Sequence, residues 1–312
     1  MLIEKAILLA IAASFCTATS SVCQRMGASS EEGTGFDLAL LLRLARRPIW
    51  LLGLGSMILG FVLQISALHY GELALVQPIL AMELIFVFGY MALIGSRPVR
   101  QRDWLAAVAM CAGLGLFLFA SSPSGGRLHA PGPVWFAAGL VSLGVVGAAL
   151  AVAFGLGRRP GAAPTRRAAV LGAATGIAWG FVAAVIKELS SHLGAGLGAI
   201  FGNWAVYVLV GAGTATLLLA SHALAAGPLA ASQPGFTILD PLAATLLGIF
   251  LFSEHIQTGV LALTGEALGL LLLVAGVTRL SHSHLIDGET EPSPVMASAD
   301  RPRQDAGATR CC

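Results

Sequence analysis

Residues 71–78 read Gly-Glu-Leu-Ala-Leu-Val-Gln-Pro, and residues 227–234 read Gly-Pro-Leu-Ala-Ala-Ser-Gln-Pro. The two octapeptides lie 156 residues apart and are identical at five positions: Gly71/Gly227, Leu73/Leu229, Ala74/Ala230, Gln77/Gln233 and Pro78/Pro234. The same offset pairs further short matches along the chain, such as Gly113-Leu114 with Gly269-Leu270. Weak internal repetition in an apolar chain is typical of transporters that are built from structural repeats.

The composition predicts a membrane protein. Charged residues make up 11% of the chain and hydrophobic residues 56%, and the mean hydropathy is +0.83. A soluble domain carries roughly 25% charged residues. Segments of about 20 apolar residues span a bilayer as helices. We therefore expect an all-α polytopic protein with nine spans, at about 3–24, 49–69, 72–95, 103–121, 133–157, 168–187, 197–221, 228–252 and 258–280.

The basic residues orient these spans. Of the 18 lysines and arginines, 15 lie in the loops after spans 1, 3 and 5 and in the C-terminal tail. Short cytoplasmic loops are enriched in Lys and Arg, so the sequence predicts an outside N-terminus and a cytoplasmic C-terminus in the inner (cytoplasmic) membrane. Spans 1–4 match spans 6–9 and are five crossings away from them. An odd number of crossings reverses orientation, which predicts an inverted repeat of the form 4 + 1 + 4.

The predicted spans divide the chain into four parts. Residues 1–122 form a first repeat, 123–160 contain the linking span 5, and 161–280 form a second repeat. The polar residues 281–312 predict a disordered cytoplasmic tail, and the sequence assigns no role to the terminal Cys311-Cys312 pair. A homodimer is left open.

Two acidic residues are predicted near the membrane midplane. Glu83 lies 11 residues into span 3 and Asp240 lies 12 residues into span 8, which is about 16–18 Å deep at 1.5 Å per residue. Under the repeat offset they fall one position apart in equivalent helices. Ionisable groups at this depth are expensive and mark functional sites by default. The alternative is that one or both are protonated, or hydrogen-bonded to backbone, and serve structure alone.

Glutamine-proline pairs accompany these acids. Gln77-Pro78 and Gln233-Pro234 occupy equivalent positions, and Pro241 directly follows Asp240. Proline frees a backbone carbonyl one turn back, so we expect helix breaks at Pro78, Pro234 and Pro241. Freed carbonyls are tolerated where they line a cavity or face protein. Glutamine beside each break could bind a ligand or only bond a neighbouring helix.

The remaining polar residues carry weaker signals. Glu266 in span 9 and Asn203 in span 7 are further candidates for substrate contact, with interhelical bonding as the alternative for Asn203. Seven other residues lie near predicted span ends, where we expect interfacial anchoring: His69, Glu72, Lys187, Glu188, His222, Glu254 and His255.

Several classes of function lack their motifs. The chain has no phosphate-binding Gly-rich loop with a following Lys-Ser/Thr, no His-Glu-x-x-His and no Gly-x-Ser-x-Gly. We therefore expect neither an ATPase nor an enzyme, and no cofactor. The expected partners are the lipid bilayer and a small-molecule or cation substrate, with no nucleic acid.

The chain resembles the drug/metabolite transporter superfamily over roughly residues 1–285. The resemblance rests on Ala67–Pro78, on Leu93–Arg97 followed by Asp103-Trp104, and on Leu251-Phe252-Ser253-Glu254, which is similar to the Glu-bearing turn of EamA-type members. The first-half equivalent of that turn, Ile94–Arg97, lacks the Glu. Nine spans and the phrase Ala-Leu-Val-Gln-Pro are more similar to the NIPA-like magnesium transporters of the superfamily. The resemblance implies transport and leaves the substrate open.

Three hypotheses follow. The first is a gradient-driven carrier of a small solute, with Gln77, Gln233, Glu83 and Asp240 around a midplane cavity. The second is a divalent-cation route in which Glu83 and Asp240 provide the hard oxygen ligands that Mg²⁺ prefers. The third is a membrane subunit that does not transport.

Overall fold

The computed structural model describes residues 2–28, 47–94, 100–157, 164–192, 196–227 and 229–281. These ranges are helical and contain no strand, apart from one isolated antiparallel bridge between Ser124 and His255. The helices in chain order are α1 (Leu2–Ala28), α2 (Pro48–Tyr70), α3 (Leu73–Leu80), α4 (Glu83–Ile94), α5 (Gln101–Ser121), α6 (Gly132–Gly157), α7 (Pro164–Ser190), α8 (Leu197–Phe201), α9 (Trp204–Ala225), α10 (Leu229–Phe252) and α11 (Val260–Ser281).

Within the described ranges, nine segments are long and apolar enough to cross a membrane. This confirms the prediction of an all-α polytopic membrane protein. The third segment, Leu73–Ile94, comprises two helices, α3 and α4. The seventh begins at Trp204 rather than near residue 197, because α8 is a separate short helix that ends before Gly202 and Asn203. The predicted tail, with Cys311 and Cys312, lies outside the described residues.

α7 is the central helix of the bundle. It packs against α10, α9 and α6, while α1 packs against α2 and α5 against α11. Glycines bring α7 and α10 close together: a Cβ at Gly172 would lie 2.4 Å from the Ser232 carbonyl oxygen, and one at Gly176 would lie 2.4 Å from that of Gly235. Small residues that let two backbones touch are the usual contact between membrane helices.

Two of the three prolines predicted to break their helices do not break them. Only Pro78 precedes a break: α3 ends at Leu80, and Ala81 and Met82 form a turn before α4 begins at Glu83. α10 continues from Leu229 to Phe252 through both Pro234 and Pro241, so the predicted breaks at these two residues are wrong. Each proline removes one backbone donor, and the close packing of α10 on α7 holds the rest of the helix in register.

One end of the bundle is tied together by loops and helix termini. The N–H of Ser124 donates to the His255 carbonyl at 3.0 Å, and the N–H of Arg127 donates to that of Phe252 at 2.7 Å. His69 Nδ1 lies 2.9 Å from the Ser190 carbonyl oxygen. We call this region, formed by residues 69–74, 121–131, 187–190 and 252–257, the closed end. The predicted orientation places it on the outside of the membrane.

Candidate functional site

Two of the predicted site residues, Gln77 and Glu83, lie on either side of the break in the third span. Gln77 precedes Pro78 in α3 and is 4% exposed. Its Nε2 atom is buried and has no hydrogen-bond partner within the described part of the chain. Glu83 is the first residue of α4, directly after the turn, and its Oε1 accepts a hydrogen bond of 2.9 Å from Ser21 Oγ of α1. The break therefore places an amide and a carboxylate on the two sides of one turn.

Asp240 contributes the second carboxylate from α10. Its Oδ1 atom is buried and accepts no hydrogen bond among the described residues. α3, which ends just before the turn that leads to Glu83, packs directly against α10. The structure thus brings Gln77, Glu83 and Asp240 into the region where the third and eighth spans meet.

The two prolines beside these groups share a cavity. Pro78 and Pro241 line it together with apolar side chains of α5, α10 and α11, namely Phe117, Ile238, Leu242, Leu270 and Leu273. Its volume is about 10 Å³, which is the lower limit for a single water molecule. In this conformation, the helix segments that follow Gln77 and Asp240 therefore meet in a closely packed, apolar contact.

Two further site predictions have different outcomes. Glu266 lies in α11, and its Oε1 atom is buried without a partner in the described ranges, but no contact described for it joins it to Gln77, Glu83 or Asp240. Asn203 is not inside a span, and its assignment to the interior of span 7 is wrong. It is the N-cap of α9, where its Oδ1 accepts from the Ala205 N–H at 2.7 Å and its Nδ2 lies 3.0 Å from His192 Nε2. The Gln233 side chain lies outside the described residues.

The closed end contains a buried ion pair. Lys187 Nζ lies 2.7 Å from Glu254 Oε1, and their side chains are 2% and 0% exposed. Glu254 also accepts from the N–H groups of Leu73 at 2.6 Å and Ala74 at 2.9 Å. Lys187 donates in addition to the Gly71 carbonyl at 3.2 Å. One carboxylate therefore joins the N-terminus of α3, the last turn of α7 and the loop after α10.

A second buried carboxylate directly follows Lys187 in the chain. Glu188 is 0% exposed. Its Oε2 accepts from the Ala130 N–H at 3.1 Å and from Trp135 Nε1 at 3.2 Å, and its Oε1 contacts His129 Nδ1. It ties the end of α7 to the loop before α6. Glu188, like Glu254, has partners for both carboxylate oxygens.

The prediction of interfacial anchoring for Lys187, Glu188 and Glu254 is therefore wrong. These residues do lie at helix ends, but neighbouring loops cover them and they bond to one another and to backbone groups. Whether a residue at a helix end is buried depends on the loops that surround it. The position of the residue along its span does not reveal those loops. Adjacent opposite charges at the end of span 6 and a Glu in a tight turn were the signals that could have suggested an ion pair.

Within the described residues, no group of three or more His, Cys, Asp or Glu side chains has the arrangement of a metal site. Glu83 and Asp240 alone would supply two protein carboxylates. Any cation at this position would need water or backbone oxygens as further ligands, which is acceptable for Mg²⁺ because it keeps several waters.

Comparison with known proteins found one relative. The chain is 27% identical over 282 residues to a protein of Corynebacterium glutamicum that is described as uncharacterized, and the match covers 89% of this chain and 94% of the relative. No protein-family model matches the chain, and no solved structure matches it. The similarity extends through nearly the whole length of both proteins, so the relative is expected to share the helical bundle.

Proposed function

We propose that this protein is a secondary transporter of the drug/metabolite transporter type, which moves a small solute past Gln77, Glu83 and Asp240. One observation carries the proposal: buried polar atoms of Gln77 and Asp240 lack partners within the described ranges, and their two helices pack against each other. Buried polar groups are nearly always hydrogen-bonded. A ligand that supplies the missing partners is the simplest reason to keep these residues there.

The arrangement of helices supports an inverted repeat. α1 packs against both α2 and α4, and α7 packs against both α9 and α10. These are the contacts of spans 1, 2 and 3 and of spans 6, 7 and 8, which the repeat treats as equivalent. The fourth and ninth spans, α5 and α11, pack against each other. Two halves of similar structure can exchange conformations around a central site.

The available groups define the chemistry of the solute. Glu83 and Asp240 offer acceptors, and Gln77 Nε2 offers a donor. A solute that carries both an ammonium or amine group and an acceptor, as amino acids do, would satisfy all three. Protonation of one carboxylate would remove the cost of burying its charge, so a proton gradient is the proposed source of energy.

A divalent cation is the second candidate substrate. It is favoured by the presence of two carboxylates, Glu83 next to α3 and Asp240 in α10, where α3 and α10 pack together, since a cation between two carboxylates would relieve their repulsion. Each proposed substrate makes a different prediction. A cation requires both acids to be ionised, whereas a proton-coupled carrier tolerates one neutral acid for binding and loses only the coupling.

A ligand screen tests the proposal. Purified protein is heated in the presence of amino acids, small amines, other metabolites or Mg²⁺, alongside the variants Glu83→Gln and Asp240→Asn. A ligand at 100 times its dissociation constant adds about 2.7 kcal/mol to the stability of the native state. We expect stabilisation by an amino-group solute that survives in one of the two variants, the one that neutralises the proton-coupling carboxylate, and is lost in the other.

The control is Glu4→Gln, which neutralises an exposed acid in the first turn of α1. This variant should retain the full ligand response. Stabilisation by Mg²⁺ alone, lost in both variants, would replace the solute with a cation. A ligand response that survives in both Glu83→Gln and Asp240→Asn would show that the site is elsewhere.

A further inference from the structure

The first turn of α3 is capped from a distant part of the chain. Glu72 is its N-cap residue but makes no side-chain capping bond. The N–H groups of Leu73 and Ala74 instead donate to Glu254, which follows them by 181 and 180 residues. A local Ser, Thr, Asp or Asn at the N-cap would satisfy one donor of this turn. A cap from the loop after α10 does more, because it also fixes where α3 lies.

Glycines make room for this contact. A Cβ at Gly248 would lie 2.3 Å from Glu254 Oε2, and one at Gly126 would lie 2.7 Å from Glu254 Cγ. Lys187 completes the contact from α7 and also lies over the Phe252 ring, 5.1 Å from its centroid. The carboxylate is thus enclosed by the loop after α5, by α7 and by α10, and the whole contact is buried.

We propose that the Glu254–Lys187 pair is a latch that closes one entrance to the site at Gln77, Glu83 and Asp240. This rests on the proposed transport function, because a solute can reach that site from the closed end only if α3 separates from the loop after α10. Every bond of the latch is an ion pair or a hydrogen bond to backbone, so it can open without unfolding a helix. Glu254 acts through the position of α3 and does not contact the solute.

The test measures opening directly. The five cysteines are replaced, and a single thiol is introduced by Ala74→Cys, at a position that is 2% exposed and next to the latch. A water-soluble disulfide reagent then labels the purified full-length protein in nanodiscs, with and without Glu254→Gln. Labelling of a buried thiol follows the population of the open state. We expect Glu254→Gln to raise the labelling rate by about tenfold or more.

The matched probe is Ala168→Cys, which is 0% exposed and lies near the start of α7. It is 19 residues from Lys187, about 28 Å along the helix. Its labelling should change less than about twofold. An equal rise at both positions would mean that the variant loosens the whole bundle, and no rise at Ala74→Cys would mean that the pair does not control opening. Either result overturns the latch.

A second variant keeps every charge in place. Gly248→Ala puts a methyl group where the Glu254 carboxylate lies, so it should displace the latch and raise labelling at Ala74→Cys selectively. This variant decides the question if Glu254→Gln cannot be purified. The labelling assay needs no solute, so its result is independent of the ligand screen. If labelling rises selectively at Ala74→Cys but no ligand stabilises the protein, the result counts against transport alone. If a ligand stabilises the protein but labelling rises equally at both positions, the result counts against the latch alone.

Discussion

The closed end and the region around Gln77 and Asp240 both contain buried polar atoms, but the hydrogen bonding of the two regions is opposite. At the closed end, Glu254 and Glu188 have partners on both carboxylate oxygens. In the other region, Asp240 Oδ1 and Gln77 Nε2 are buried without partners among the described residues. Satisfied polar groups fix a structure, whereas unsatisfied groups keep their capacity to bind. The contrast separates residues whose bonds hold the bundle together from residues that the proposed function assigns to a ligand.

The largest expected effect is at Lys187. The variant Lys187→Met leaves Glu254 buried without its cation, and removing one partner of a buried pair costs about 3–5 kcal/mol. Unfolding of the purified protein by denaturant should show this loss. The exposed Arg102 of α5 provides a control, since Arg102→Met should change stability by less than about 0.5 kcal/mol. The double variant Lys187→Met/Glu254→Gln should regain part of the loss, and no recovery would argue against a paired contact.

An intermediate effect is expected where α7 meets α10. Gly176→Ala would push its Cβ into the Gly235 carbonyl oxygen, and overpacking of this kind costs about 1–3 kcal/mol. The matched control is Gly144→Ala in α6, where a Cβ would meet no atom within 4 Å. Thermal unfolding of the two variants should differ clearly. Equal stability of the two variants would mean that α7 and α10 are packed less closely than described. The segment of α10 that contains Asp240 would then be held less firmly than Glu254 at the closed end.

The smallest effect on stability is expected at Asp240. Asp240→Asn removes a charge that has no hydrogen-bond partner on Oδ1 among the described residues, so stability should stay within about 0.5 kcal/mol or rise. The same acid-to-amide change at Glu254 should be clearly destabilising. Denaturant unfolding of both variants compares the two regions directly. A large loss at Asp240 would mean that this carboxylate holds the bundle together, and the contrast between the regions would fail.

The sequence was sufficient to predict the spans because their length and apolar composition are local properties. It also predicted Glu83 and Asp240 as site residues from their depth along the spans, and that assignment remains a prediction. The repeat, the orientation and the domain boundaries remain predictions. Position along a helix could not reveal the partners of Lys187, Glu188 and Glu254, which come from distant loops. Asn203 was placed in a span because hydropathy does not detect a short helix such as α8, although Asn is a common N-cap residue.

Proline gave the least reliable prediction. The same residue type ends α3 soon after Pro78 but leaves α10 intact at Pro234 and Pro241. The difference lies in the neighbours, because α10 rests along the glycines of α7, and such tertiary contacts are not encoded in the local pattern. The break near Pro78 directly precedes Glu83, which the proposed function places in contact with the solute.

The distant cap of α3 also has a consequence for synthesis of the chain. Leu73 and Ala74 leave the ribosome long before Glu254, which follows Ala74 by 180 residues. Until then their N–H groups lack the acceptor that they have in the finished protein. The first four spans can enter the membrane, but the latch that we propose can form only after the turn between the last two spans has been made. A chain truncated before that turn would contain Gln77, Glu83 and Asp240 but would lack the carboxylate that caps α3.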